Sequence, residues 1–174
     1  MRIGDACPEF SLPGVDGRTW GLADFAGAPA LVVVETCNHC PYVVAYQDRL
    51  LTLARAYGRR GIAFVGICSN DAEKYPQDSF ENMQVRAAEV GIGFPYLRDE
   101  DQCVARAFGA ERTPEFFVFD GERRLVYHGR LDDNLEDGSK AQHHYLREAL
   151  DAILAGQRVP QAETQAIGCT VKWR

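Results

Sequence analysis

Cys37 and Cys40 are separated by Asn38 and His39 and followed at once by Pro41. Two thiols at this spacing, at the start of a helix, approach closely enough to form a disulfide, with the first pointing toward solvent. Unpaired N–H groups and the dipole at a helix N-terminus stabilise a thiolate, so Cys37 is expected to ionise readily and act as a nucleophile. His39 would add positive charge beside that thiolate, favouring the reduced form and making the disulfide a stronger oxidant. Zinc sites use the same cysteine spacing, but a structural zinc takes four ligands. Here Cys7, Cys68, Cys103 and Cys169 are isolated, and His128, His143 and His144 fall in other elements. Covalent haem attachment requires histidine directly after the second cysteine, where this chain has Pro41. Redox chemistry without a metal or cofactor is the expectation.

A dithiol at this position needs a buried strand before it and a helix after it. Ala30 to Val34 is a valine-rich run without polar alternation, the pattern of a central strand covered on both faces, and it ends at Glu35-Thr36-Cys37. From Pro41 to Tyr57, the residues Val43, Val44, Leu50, Leu51, Ala54 and Tyr57 recur at helical spacing, with Pro41 suited to the first turn. Ile62 to Ile67 predicts a second buried strand, completing a β-α-β unit. Residues 68 to 78 form a loop. Asp78 with Glu81 resembles a capping box for a helix with Phe80, Met83, Ala87 and Val90 on one face, stopped by Gly91. A strand over Phe94 to Leu97, a short helix over Asp101 to Phe108 and a hairpin of Phe116 to Phe119 with Leu125 to His128 follow, then a last amphipathic helix over Gln142 to Leu154. The first thirty residues suggest a small hairpin, Phe10 to Leu12 with Thr19 to Leu22, turning at Asp16-Gly17.

The chain has 174 residues, 46% of them hydrophobic and 25% charged, and shows no internal repeat or low-complexity linker. This length suits one domain with a sufficient core, so no disulfide framework is required. The division expected is a single α/β domain over 1–174, with 1–28 an N-terminal extension and 157–174 a C-terminal tail. The formal net charge of -6 argues against a nucleic-acid or anionic-membrane partner, because phosphates are bound by basic patches. The start MRIGDACPEF has no apolar segment of signal type, and the longest apolar run, Ala28 to Val34, falls far short of the roughly 20 residues of a membrane helix. A cytosolic location is expected.

PEFSLPGVDG at the start, CNHCPYV at the candidate site, ERTPEFFVFD before the hairpin and IGCTVKW at the end resemble the thioredoxin superfamily across almost the whole chain. The closest likeness is to its redoxin group, related to peroxiredoxins. The resemblance implies a thioredoxin-like fold: a central mixed β-sheet flanked by helices, with an N-terminal β-hairpin extension and a helical insertion. It also implies that Thr113-Pro114 is a cis peptide facing the CxxC, with the Thr113 backbone pairing with a bound peptide, and it makes Asn38, Thr113 and Pro114 candidate substrate-binding residues. His39 matches the histidine of the CPHC disulfide oxidases.

Departures from the relatives separate reaction types. In the peroxiredoxin TxxC motif the cysteine attacks peroxide; here Cys37 replaces the threonine, Cys40 takes the peroxidatic position, and the usual arginine is replaced by Pro114. Without those donors a departing peroxide oxygen loses its usual stabilisation. Leu31 stands where thioredoxin has a buried aspartate, and Glu35 is a candidate for proton transfer or for a solvated or salt-bridged role. The expected reaction is thiol–disulfide exchange: Cys37 attacks a disulfide sulfur, Cys40 resolves the mixed disulfide, and His39 tunes the first thiol. The alternatives are a peroxiredoxin-like peroxidase with Cys40 as the peroxidatic residue, and a redox-sensing or metal-binding adaptor. The partners implied are a disulfide-containing protein or small-molecule thiol and a reductant of thioredoxin or glutathione type.

Other residues have plainer readings. Cys169 is either an auxiliary redox thiol or, the favoured reading, a small apolar residue packing the tail. Cys68 and Cys103 read as core and Cys7 as a loop thiol. Asn70, Asp71 and Tyr75 lie in the loop after the second strand, at the edge where open α/β sheets place ligands. The acidic run Asp132 to Asp137 lacks EF-hand spacing and reads as a solvated loop.

Overall fold

The computed structural model describes all 174 residues. In chain order the strands are β1 (Ser11–Pro13), β2 (Thr19–Gly21), β3 (Ala30–Glu35), β4 (Ala63–Cys68), β5 (Tyr96–Arg98), β6 (Arg112–Thr113), β7 (Glu115–Asp120), β8 (Leu125–Gly129) and β9 (Cys169–Thr170). The α-helices are α1 (Pro41–Gly58), α2 (Phe80–Val90), α3 (Cys103–Phe108) and α4 (Tyr145–Leu154). Five strands form the central sheet in the order β5-β4-β3-β7-β8; β4 runs parallel to both β3 and β5, and β7 antiparallel to both β3 and β8. This is the thioredoxin-like α/β architecture that the sequence predicts.

Both faces of β3 are covered because successive side chains point to opposite sides of a sheet. Ala30, Val32 and Val34 pack with residues of α1 and α4, whereas Leu31 and Val33 pack with α3 and the N-terminal segment. Glu35 continues the second series and is fully buried at the strand end. The helix face of α1 differs from expectation at one position: Val44 is exposed, and Tyr46 turns inward to donate its hydroxyl to the Asp132 carbonyl at 3.3 Å.

The segment expected as a helical insertion returns to the sheet, since α2 leads into β5 beside β4. Its capping differs from the sequence reading. Ser79, not Asp78, caps α2 by accepting the Asn82 N–H at 3.3 Å, which leaves the Asp78 carboxylate free to turn inward. Two other helices start later than expected. α3 begins at Cys103, because Gln102 takes a left-handed conformation with φ of 61°, and α4 begins at Tyr145 after an irregular stretch. The N-terminal β1–β2 hairpin forms its own small sheet and is tied to the β5 edge by the Val15 N–H to Tyr96 carbonyl bond of 3.0 Å. A third two-stranded sheet joins β6 to β9, bringing the C-terminal tail to the candidate site.

Candidate active site

β3 and α1 hold the dithiol between them. Cys40 is the N-cap of α1 and Pro41 its first residue, so the second cysteine, rather than the first as expected, sits at the helix terminus. Both sulfurs are covered: Cys37 is 3% exposed and Cys40 0%. They converge on one residue, with Cys37 Sγ 3.6 Å from Thr113 Oγ1 and Cys40 Sγ 3.0 Å from the Thr113 carbonyl oxygen. Thr113-Pro114 is cis, as the resemblance implies.

The electrostatics reverse the expected division of labour between the thiols. The Cys37 thiol is pushed up, first because it hydrogen-bonds to Cys40 as donor, then by burial and by the Asp78 carboxylate. Cys40 is pulled down to about 4, chiefly by that same bond, then by contacts from the Cys169 thiol and N–H and from the Val43 N–H in the first turn of α1. Burial opposes this, and the Thr113 carbonyl can only accept from a protonated thiol. The Val43 and Cys169 N–H groups face Cys40 and the Asp78 carboxylate faces Cys37, an arrangement that favours negative charge on Cys40 over Cys37.

Asp78 organises the rest of the site and was missed as a site residue in the sequence. Its Oδ1 accepts the Asn38 N–H at 2.7 Å and its Oδ2 accepts Asn70 Nδ2 at 2.7 Å, all within a fully buried setting. The His39 Nδ1 also lies 2.7 Å from Asp78 Oδ2, too far off line for a good hydrogen bond but close enough for a charge contact. Any positive charge on His39 is therefore balanced by Asp78 rather than offered to the thiolate alone. The ring stacks on Tyr75 at a centroid distance of 5.6 Å. Asn38 is held on both sides, donating Nδ2 to the Gln77 carbonyl at 2.8 Å and accepting the Tyr96 hydroxyl at 3.0 Å. Asn70 and Tyr75 thus line the site, as their loop position suggests, while Asp71 instead pairs with Lys74 and the tail.

Cys169 lies in the same sulfur cluster as Cys37, Cys40 and Cys68, opposite Thr113 in the β6–β9 pairing, and burial pushes its thiol up to about 11. Cys68 is buried as expected, and burial pushes it to about 12. Cys7, expected as a loop thiol, is buried in the second core cluster, and Cys103, expected as core, is exposed. Glu35 is neither solvated nor salt-bridged. Its Oε2 accepts the Ser69 hydroxyl at 3.3 Å, its Oε1 has no partner, and burial raises its pKa well above the usual carboxylate value. The acidic run is likewise not solvated throughout, because buried Asp132 accepts from Arg49 at 2.6 Å.

Cys37, His39 and Asp78 each offer one donor atom, all within 4.8 Å of one another. Three donors fall short of the four that a structural zinc takes. The reduced sulfur pair, by contrast, can supply the two electrons that reduction of a disulfide needs.

A family model described as Redoxin matches residues 2–144, so the chain belongs to the Redoxin family, in the peroxiredoxin-like group of the thioredoxin superfamily. Peroxiredoxin Bcp of Escherichia coli K12 is 25% identical over 150 residues, which cover 83% of this chain and 91% of that protein. The thiol-disulfide oxidoreductase ResA of Geobacillus thermodenitrificans is 22% identical over 122 residues, 69% of this chain and 64% of its own. Among solved structures, an uncharacterized conserved protein of Geobacillus kaustophilus superposes with a TM-score of 0.95 at 44% identity, over 99% of this chain and 93% of that one. Oxidoreductases of both the peroxiredoxin and the thiol-disulfide type are thus its relatives.

Proposed function

We propose that the protein is a thiol–disulfide oxidoreductase whose working group is the Cys37–Cys40 dithiol. The observation that carries this reading is the convergence of two buried sulfurs on Thr113 at a strand-to-helix junction. In the reduced state Cys37 keeps its proton and shares it with the Cys40 thiolate. As a disulfide R–S–S–R approaches Cys37, the shared proton passes to Cys40. Cys37 then attacks, forming Cys37–S–S–R and releasing one thiolate. Cys40 loses its proton to that leaving thiolate and attacks the Cys37 sulfur, releasing the second thiolate, which takes a proton from solvent. Two electrons have moved to the substrate, and the Cys37–Cys40 disulfide remains to be recycled by an external thiol reductant. Asn38 and Asp78 fix the loop that presents Cys37, and His39 lies beside it. Six cysteines without a need for structural disulfides fit a reducing compartment such as the cytosol.

A peroxidase reading is favoured by one observation, the lowered Cys40 thiol at the first turn of a helix. Against it stand the complete burial of that sulfur and Pro114 in the place of the arginine donor. Cysteine variants separate the two. Cys37→Ser should abolish turnover of disulfides, and Cys40→Ser should accumulate a mixed disulfide on Cys37 visible by mass spectrometry. Saturable, rapid peroxide consumption retained in Cys37→Ser and lost in Cys40→Ser would replace the exchange reading with the peroxidase one.

A further inference from the structure

The backbone edge nearest the two sulfurs is β6, and it is already paired. β9 runs antiparallel to it, with Thr113 opposite Cys169 and Arg112 opposite Thr170, and the pairing is extended by the Val171 N–H to Glu111 carbonyl bond of 3.0 Å. Gly168 approaches so closely that a Cβ placed on it would lie 2.1 Å from the Thr113 carbonyl oxygen, so only glycine fits there. The segment that follows is anchored on buried amides. The Lys172 N–H donates to Asn70 Oδ1 at 2.8 Å, the Lys172 carbonyl accepts Gln102 Nε2 at 2.9 Å, and the Arg174 N–H donates to Gln102 Oε1 at 3.1 Å. Asn70 and Gln102 are each 1% exposed, which makes the tail a wall of the site rather than a loose cover.

An extended polypeptide recognises a protein by adding a strand to a free edge, about 4.8 Å from its neighbour, where main-chain hydrogen bonds supply the affinity. At Thr113 that place is filled by the chain's own tail, down to a cysteine side chain directed into the sulfur cluster. Beside Cys37, the His39 ring stacks on Tyr75, and the Lys172 ammonium of the tail lies 5.6 Å from the Tyr75 ring centre.

We propose that residues 168–171 are a built-in surrogate for a substrate strand, which confines the site to low-molecular-weight disulfides and excludes polypeptide disulfides from the Thr113 edge. The proposal rests on the exchange reading above and deepens it by naming the substrate class. The electron balance is unchanged. The small disulfide accepts two electrons and leaves as two thiols, and two molecules of a small thiol such as glutathione return the dithiol by reducing Cys37–Cys40 and leaving as their own disulfide. The register opposite Thr113, where a bound peptide is expected to pair, holds Cys169 of the tail.

The test compares kcat/KM of the unmodified full-length chain for hydroxyethyl disulfide and for insulin, a polypeptide with accessible disulfides. The small disulfide should be favoured by about a hundredfold or more, because main-chain pairing is denied to insulin. Gly168→Val supplies the second arm. The atom it would strike is a main-chain carbonyl, so the tail must shift from Thr113, and the insulin to small-disulfide ratio should rise at least about tenfold. Insulin reduced by the unmodified chain as efficiently as the small disulfide would overturn the proposal, and that arm does not depend on the variant folding. An unchanged ratio in a folded Gly168→Val whose Cys169 amide has become exchangeable would also overturn it. Exchange with neither substrate would instead refute the oxidoreductase reading.

Discussion

Removing the Asp78 charge should make Cys37 more reactive, although the same change disturbs two hydrogen bonds and the charge contact with His39. One Asp78 oxygen and Cys37 Sγ lie within 4.8 Å. With an effective dielectric constant of about 20, two unit charges at that distance interact by about 3.5 kcal/mol, or roughly 2.5 pKa units. The sign does not depend on His39. If the ring is neutral, Asp78→Asn removes a negative charge; if it is protonated, the substitution leaves a positive one unbalanced. Either way the Cys37 thiolate becomes easier to form. The gain in thiolate is partly offset by lower nucleophilicity, with a Brønsted coefficient of about 0.4–0.5, so the net rate at fixed pH should rise roughly thirtyfold at most. The assay is single-turnover reaction of Cys37 with an aromatic disulfide at pH 7, measured in a Cys40→Ser background so that one thiol reports. An amide at this position also turns an NH2 group toward the donors of Asn70 and His39, costing about 1–3 kcal/mol of stability and several degrees in Tm. A folded Asp78→Asn protein whose Cys37 reacts no faster, or more slowly, would refute the electrostatic account of this thiol.

Two further outcomes concern buried ionisable groups. The reduced protein should carry one thiolate, absorbing near 240 nm, that persists as the pH falls from neutrality and disappears only through about 4; Cys40→Ser should remove it, and a midpoint near 8–9 would contradict the charge assignment. Glu35 has a folded pKa raised above its ordinary 4.5, so the stability it contributes is fully present below that value and is lost as pH rises toward the folded pKa. Glu35→Gln should therefore flatten the decline in the denaturation midpoint across that interval and stabilise the protein at pH 7; a loss of stability at pH 7 would show that the carboxylate is ionised and needed.

The fold and half of the site were legible because their signals are local. The valine run before Cys37, the proline after Cys40 and the apolar spacing of α1 each act over a few residues, and together they place a dithiol at a strand-to-helix junction. Asp78 was not legible as a site residue, since it lies 41 positions from Cys37 and sits beside a serine that makes an equally good cap. Once Ser79 takes the cap, the aspartate is free, and only the fold shows where it turns. The ionisation order turns on a three-position difference, whether Cys37 or Cys40 is the N-cap, which decides which sulfur meets the helix amides. Glu35 looks like a strand-end charge in sequence, but the alternation of Leu31 and Val33 already points its side chain into the second core layer. The two-residue pairing of β6 with β9 has no periodicity to detect, and only the glycine before Cys169 hints at a close backbone approach.

The proposed activity requires that Cys37 and Cys40 form a reversible catalytic disulfide. A glutathione redox titration of the pure protein, with thiols trapped by alkylation and located by mass spectrometry, tests it most directly. A cooperative two-electron Cys37–Cys40 transition is expected between roughly -270 and -120 mV, the range spanned by thioredoxin and DsbA. Both thiols remaining reduced or metal-bound across that range would contradict it.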